Sequence, residues 1–118
     1  MQAELDFSRK LRDEGIERAV SRAERHEQSW GSKAYAFLLD YAKRNEFVVV
    51  WMARKEAENT GAVAEPPNKR AWGGPVMRLL RAGVIEETPR RVQNPDRHAT
   101  KVTVYRSLVY RGPWEIRP

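Results

Sequence analysis

The chain has 118 residues, 41% hydrophobic and 9% aromatic, enough apolar material for one domain with a modest core rather than a disordered chain. With no cysteine, neither a disulfide framework nor a thiolate metal site can form. The net charge of +6 lies in the second half, since residues 1–61 carry 11 Lys and Arg against 11 Asp and Glu and residues 62–118 carry 11 against 5. That asymmetry points to a polyanion.

The opening run MQAELDFSRKLRDEG lacks the basic-then-apolar pattern of a secretory signal, and the longest apolar run, Phe47 to Ala53, is too short to span a bilayer. A basic cytoplasmic protein without a membrane partner is expected. From Arg9 to about Glu27, Leu11, Ile16, Val20 and Ala23 fall on one side of a helix, with Ser8 or Asp6 available as its N-cap. Its other faces carry alternating charges, as an outer helix laid on a domain would.

A second helix is predicted after Ser32, running to Lys43-Arg44-Asn45, where cations and an Asn that tolerates the left-handed region suit a C-terminus. Tyr35, Leu38, Leu39 and Ala42 form its core stripe, widened by Phe37 and Tyr41. Phe47 to Trp51 has strand composition, and Met52 to Asn59 reads as a helix closed by Gly61. Ala64-Glu65-Pro66-Pro67 is a turn, after which Asn68 caps the next segment.

On a helix from Lys69 to Ala82, Trp72, Val76, Leu79 and Leu80 share one side, and Arg70, Gly74, Met77, Arg78 and Arg81 share the other. Such a basic stripe suits a DNA major groove, where Arg pairs with guanine O6 and N7 or reaches phosphate, and Gly74 would let the backbone approach closely. Pro75 means either that this helix kinks or that it starts late with Gly74 as N-cap, in which case Arg70 leaves the stripe. After the helix stop at Gly83, Val84 to Thr88 and Lys101 to Arg106 read as two antiparallel strands. Between them lies a loop with Asn94-Pro95-Asp96 at its tip. The loop carries Arg90, Arg91, Arg97 and His98 against the single Asp96, a composition suited to phosphates or a minor groove.

This order of helix, short extended piece, helix, turn, helix and basic hairpin resembles the winged helix-turn-helix family over Ser32 to about Arg106. More narrowly, Pro66-Pro67-Asn68-Lys69-Arg70-Ala71-Trp72-Gly73-Gly74 followed by Leu80-Arg81-Ala82-Gly83-Val84-Ile85 resembles small winged-helix proteins encoded by phages and prophages. In those, a PP-x-x-RAWG stretch leads into a helix ending R-A-G-[LIV]-I, and the wing closes on a V-x-V-[YW]-R-S strand, here Val102 to Ser107. The chain departs from them at Val48-Val49-Val50, where similar chains place a Thr, Ser or Asp helix cap.

The resemblance implies a mainly helical α+β fold with an N-terminal helical extension (1–30), a winged-helix domain (31–107) and a C-terminal tail (108–118). It also implies a recognition helix holding Arg70, Arg78 and Arg81, and a wing contacting DNA through Arg90, Arg91 and Arg97. Lys69, Gly74 and Lys101 complete the candidate DNA-binding set. The implied function is double-stranded DNA binding in phage replication or transcription regulation; the alternative is a protein-interaction module of the same fold, meeting a replication or transcription protein. No nucleophile–base pair, paired acids, metal-ligand cluster or Gly-rich phosphate loop is recognisable, so neither an enzyme nor a cofactor is expected. A homodimer through the first helix or the tail fits paired half-sites, although no heptad supports it. The tail from Leu108 to Ile116 is apolar enough to dock on its own domain or on a partner.

Overall fold

The computed structural model describes residues 2–95 and 100–112, with side chains from Arg9 onward. Among these residues the chain is α+β, with α1 (Gln2–His26), α2 (Trp30–Arg44), β1 (Phe47–Val48), α3 (Val50–Thr60), a 3-10 turn (Lys69–Trp72), α4 (Gly73–Arg81), β2 (Ile85–Gln93) and β3 (Lys101–Ser107). The strands form one antiparallel sheet in the order β1-β3-β2, so the short piece after α2 adds a third strand to the hairpin.

Helix α1 runs through Asp6 and Ser8, so neither residue caps it. It buries the small Ala19 and Ala23, one turn apart, with Ile16 and Val20 half-buried beside them, while Leu11, expected on this stripe, is 53% exposed. Helix α2 starts at Trp30, earlier than the expected cap at Ser32. Ser29 takes a left-handed φ of 63° and caps nothing with its side chain; instead Glu24 Oε1 on α1 accepts from the Gly31 N–H at 2.9 Å. A carboxylate at the positive end of a helix is favourable there. Trp30 thereby becomes a core residue: its Nε1 donates to the Ala64 carbonyl at 2.8 Å and its ring meets Trp72 edge-on at 5.3 Å. The buried stripe is Trp30, Ala34, Leu38, Tyr41 and Ala42, with Tyr35, Phe37 and Leu39 packed at its flanks. Asn45 ends α2 in extended rather than left-handed conformation, its side-chain amide donating to the Tyr41 carbonyl.

Helix α3 begins at Val50 without a side-chain cap, and Gly61 closes it at φ 77°. Asn68 caps as expected, its Oδ1 accepting from the Arg70 N–H at 2.9 Å. Of the two expectations for the following segment, the late start holds, with the helix beginning two residues before Pro75 rather than at it. Residues 69–72 form the 3-10 turn and α4 begins at Gly73, which puts Pro75 in the first helical turn, where a backbone N–H has no α-helical acceptor to lose. Gly83 ends α4 at φ 73°, with its own N–H on the Leu80 carbonyl and the Val84 N–H on the Leu79 carbonyl, a Schellman closure.

Strand β2 continues through Pro89 to Gln93, where the sequence suggested a loop. Proline is tolerated because β2 is an edge strand and its register with β3 shifts between Glu87 and Arg91. The Thr88 hydroxyl spans this bulge, donating to the Val104 carbonyl and accepting from the Arg90 N–H. After β3 the chain stays on its own domain as far as Gly112, with the Leu108 N–H on the Val84 carbonyl and the Arg111 N–H on the Lys43 carbonyl. The remainder of the tail, residues 113–118, lies outside the described residues.

Candidate functional site

The apolar side of α4 is as expected: Val76 and Leu79 are buried with Trp72, and Leu80 is half-buried. Its other side is not an open basic stripe. A Cβ on Gly74 would lie 2.7 Å from Val20 Cγ2, and one on Gly73 would lie 2.8 Å from Ile16 Cδ1, so α1 is seated on the first turn of α4. Gly74 is therefore a point of helix–helix approach rather than a bare spot facing solvent, which corrects its assignment to DNA contact. The missing side chain serves close packing of two backbones, a role that glycine fills whichever partner approaches.

Helix α1 also separates the arginines that were expected on one stripe. Arg78 and Arg81 border a groove of about 520 Å³ whose opposite wall is α1, with Asp13, Glu17 and Glu24. The Arg78 guanidinium lies 4.3 Å from the centroid of the Tyr35 ring, a cation–π contact that holds it along α2. Arg70, carried by the 3-10 turn, lies on another side of α1: a Cβ on Gly15 would be 3.3 Å from its Nη1. The 3-10 winding rotates residue 70 away from the position it would hold on a continuous α-helix.

There Arg70 joins a cleft of about 760 Å³ between the 3-10 turn, α3 and the inner face of the hairpin. Arg12, Arg54, Lys69, Arg70 and Lys101 line it together with Trp51, Tyr105 and Thr103, and among the described residues no Asp or Glu lines it. Arg54 is buried and committed to Glu58 at 3.2 Å, whose other oxygen accepts from Trp72 Nε1 at 3.3 Å. Lys69 is 56% exposed and only loosely held, its Nζ 3.6 Å from Glu65 and 3.9 Å from Glu58. Arg91 stands opposite Thr103 in the ladder and Gln93 opposite Lys101, so the Arg91 side chain leaves the sheet on the cleft side. Arg90 does not: its guanidinium lies 6.0 Å from the ring centroid of Phe47, which pairs with Arg106 on the opposite face. Arg97 and His98 lie outside the described residues.

The walls of the cleft are also aromatic. Trp51 and Tyr105 are half-buried there, and the indole N–H of Trp51 is shut off from solvent with no acceptor among the described residues. Burial, followed by the charge of Glu87, raises the Tyr105 hydroxyl above the ordinary tyrosine value, and nearby Arg12 only partly offsets this, so the phenol is neutral at physiological pH.

No family model, curated protein or solved structure matches the chain. Among the described residues, no group of His, Asp and Glu could hold a metal ion, and no helix is long and apolar enough to cross a membrane. Sequence reasoning assembled Lys69, Arg70, Arg91 and Lys101 as candidates but missed Arg12, Trp51 and Tyr105. Arg12 lies on a helix with charges on most faces, and only tertiary docking selects the one that meets the hairpin. Trp51 carried a usable signal, a large aromatic next to an uncapped helix start.

Proposed function

We propose that this chain is a winged-helix protein that binds double-stranded DNA, led by its hairpin and the 3-10 turn rather than by the exposed length of α4. The observation that carries the reading is the meeting of Arg12, Lys69, Arg70 and Lys101 around a cleft that no carboxylate lines among the described residues, with Arg91 on the same side of the sheet. Guanidinium and ammonium groups so arranged suit phosphate contacts, which position a protein on a duplex without reading its sequence. The order of helix, strand, two helices and hairpin, with β1 closing onto β3, supports the fold half of the reading. The setting implied by the sequence resemblance is phage replication or transcription control.

If those five cations neutralise about five phosphates, log affinity for duplex should fall against log salt with a slope of about −4 to −5. Titration of a labelled duplex at several salt concentrations tests this. Arg70→Ala with Lys101→Ala should flatten the slope by about 2, whereas Arg78→Ala with Arg81→Ala should change it less. A salt-independent response would overturn DNA binding and favour the second reading, a protein-docking module. That reading is favoured by one observation, the seating of Ile16 and Val20 of α1 over Gly73 and Gly74, which closes the part of α4 that would enter a groove.

A further inference from the structure

We propose that the cleft between the 3-10 turn and the hairpin takes one unpaired nucleotide at the end of a duplex, with its phosphate on Arg12, Arg70 and Lys101 and its base against Trp51 and Tyr105. This rests on the reading that the chain binds nucleic acid and adds to it the state of the nucleic acid recognised.

A duplex offers a protein its phosphates and its base edges but keeps the base faces stacked inside, so it can engage the cationic rim and has no use for the aromatic walls. Yet the walls are built from a half-buried tryptophan and tyrosine with threonine beside them. Proteins that hold single strands combine those two elements, a basic track for the backbone and aromatic surfaces for bases. A volume of about 760 Å³ lies within the range of small-ligand pockets, room for a single nucleotide. The Trp51 indole N–H adds a chemical signature: buried donors in folded proteins nearly always have an acceptor, and this one has none among the described residues.

The test uses the full chain and two probes, a short blunt DNA duplex and the same duplex extended by a few unpaired nucleotides at one end. The extended duplex should bind about tenfold tighter, the worth of roughly one stacked base. Trp51→Leu should erase that preference, bringing the extended duplex down to the affinity of the blunt one, with circular dichroism verifying the fold; Tyr105→Leu serves as the second variant where Trp51→Leu does not fold. Equal binding of both probes by the wild type, with the salt dependence intact, overturns the nucleotide site and leaves duplex binding standing. A preference that survives both substitutions overturns it too, because the unpaired nucleotide then sits elsewhere. Binding of neither probe removes the nucleic-acid reading and the site with it.

Discussion

Replacing Gly74 with alanine separates two accounts of α4. On an open helical face the change is favourable, since alanine exceeds glycine in helix propensity by roughly 0.5–1 kcal/mol. With α1 seated there, the new methyl would lie 2.7 Å from Val20 Cγ2, well inside contact distance. Overpacking of that kind costs about 1–3 kcal/mol, so Gly74→Ala should be destabilising by about 0.5–2 kcal/mol net. At roughly 4 °C per kcal/mol for a domain of this size, the melting temperature should drop by about 2–8 °C. Val20→Ala removes the obstructing methyl, and in that background Gly74→Ala should be neutral or mildly stabilising. The resulting double-mutant cycle, measured by urea denaturation, should give a coupling of about 1–2 kcal/mol. A Gly74→Ala protein more stable than wild type would refute the packing and restore α4 as an open face.

Two further outcomes follow from buried polar groups. Glu58, with a side chain only 13% exposed, is paired with Arg54 and accepts from Trp72 Nε1, so Glu58→Ala should cost about 3 kcal/mol by chemical denaturation, and Glu58→Gln, which keeps an acceptor for the indole, should cost less. Tyr105, and Tyr41 on α2, both have raised pKa values, in each case chiefly through burial and then through a neighbouring glutamate. The native state keeps those phenolic protons after the unfolded chain has lost its own, so their contribution is complete below the unfolded value near 10.0 and is lost as pH rises through the higher folded values. Urea midpoints should accordingly fall above about pH 10, and less steeply in Tyr105→Phe, with a fall of unchanged steepness counting against the burial of that hydroxyl.

Where local chemistry decides a conformation, the sequence was sufficient. Gly61 and Gly83 end helices in the left-handed region, and Asn68 caps the 3-10 turn, because these signals act within a few residues of chain. Where a distant segment decides, it was not. Helix α2 starts at Trp30 because Glu24, seven residues from Gly31 and on another helix, accepts the N–H that a local cap would have taken. Pro89 reads as a strand breaker until the sheet order puts β2 at an edge. The candidate site divides the same way: Lys69, Arg70, Arg91 and Lys101 were legible as a concentration of charge, but their separation from Arg78 and Arg81 depends on where α1 lies.

That helix governs how much of the positive charge an incoming anion meets. Toward the cleft α1 presents Arg12, and toward the groove it presents Asp13, Glu17 and Glu24. Glu24 is largely committed to the Gly31 N–H, but a phosphate approaching Arg78 and Arg81 would still pass within reach of Asp13 and Glu17. Repulsion between exposed charges is screened over about 10 Å at ordinary salt, so the groove is disfavoured rather than closed. Among the described residues no carboxylate lines the cleft, and those nearest its exposed cations, Asp13 beside Arg12 and Glu65 beside Lys69, stand 3.6 Å from them. Counting every described cation from Lys69 to Lys101 together with Arg12 would overstate the phosphates neutralised, because Arg78 and Arg81 face the acids of α1 and Arg90 lies over Phe47 on the far side of the sheet. A salt slope near −5 is consistent with the cleft alone; one approaching −7 would require those three arginines as well, and with them a displacement of α1 from α4 on binding.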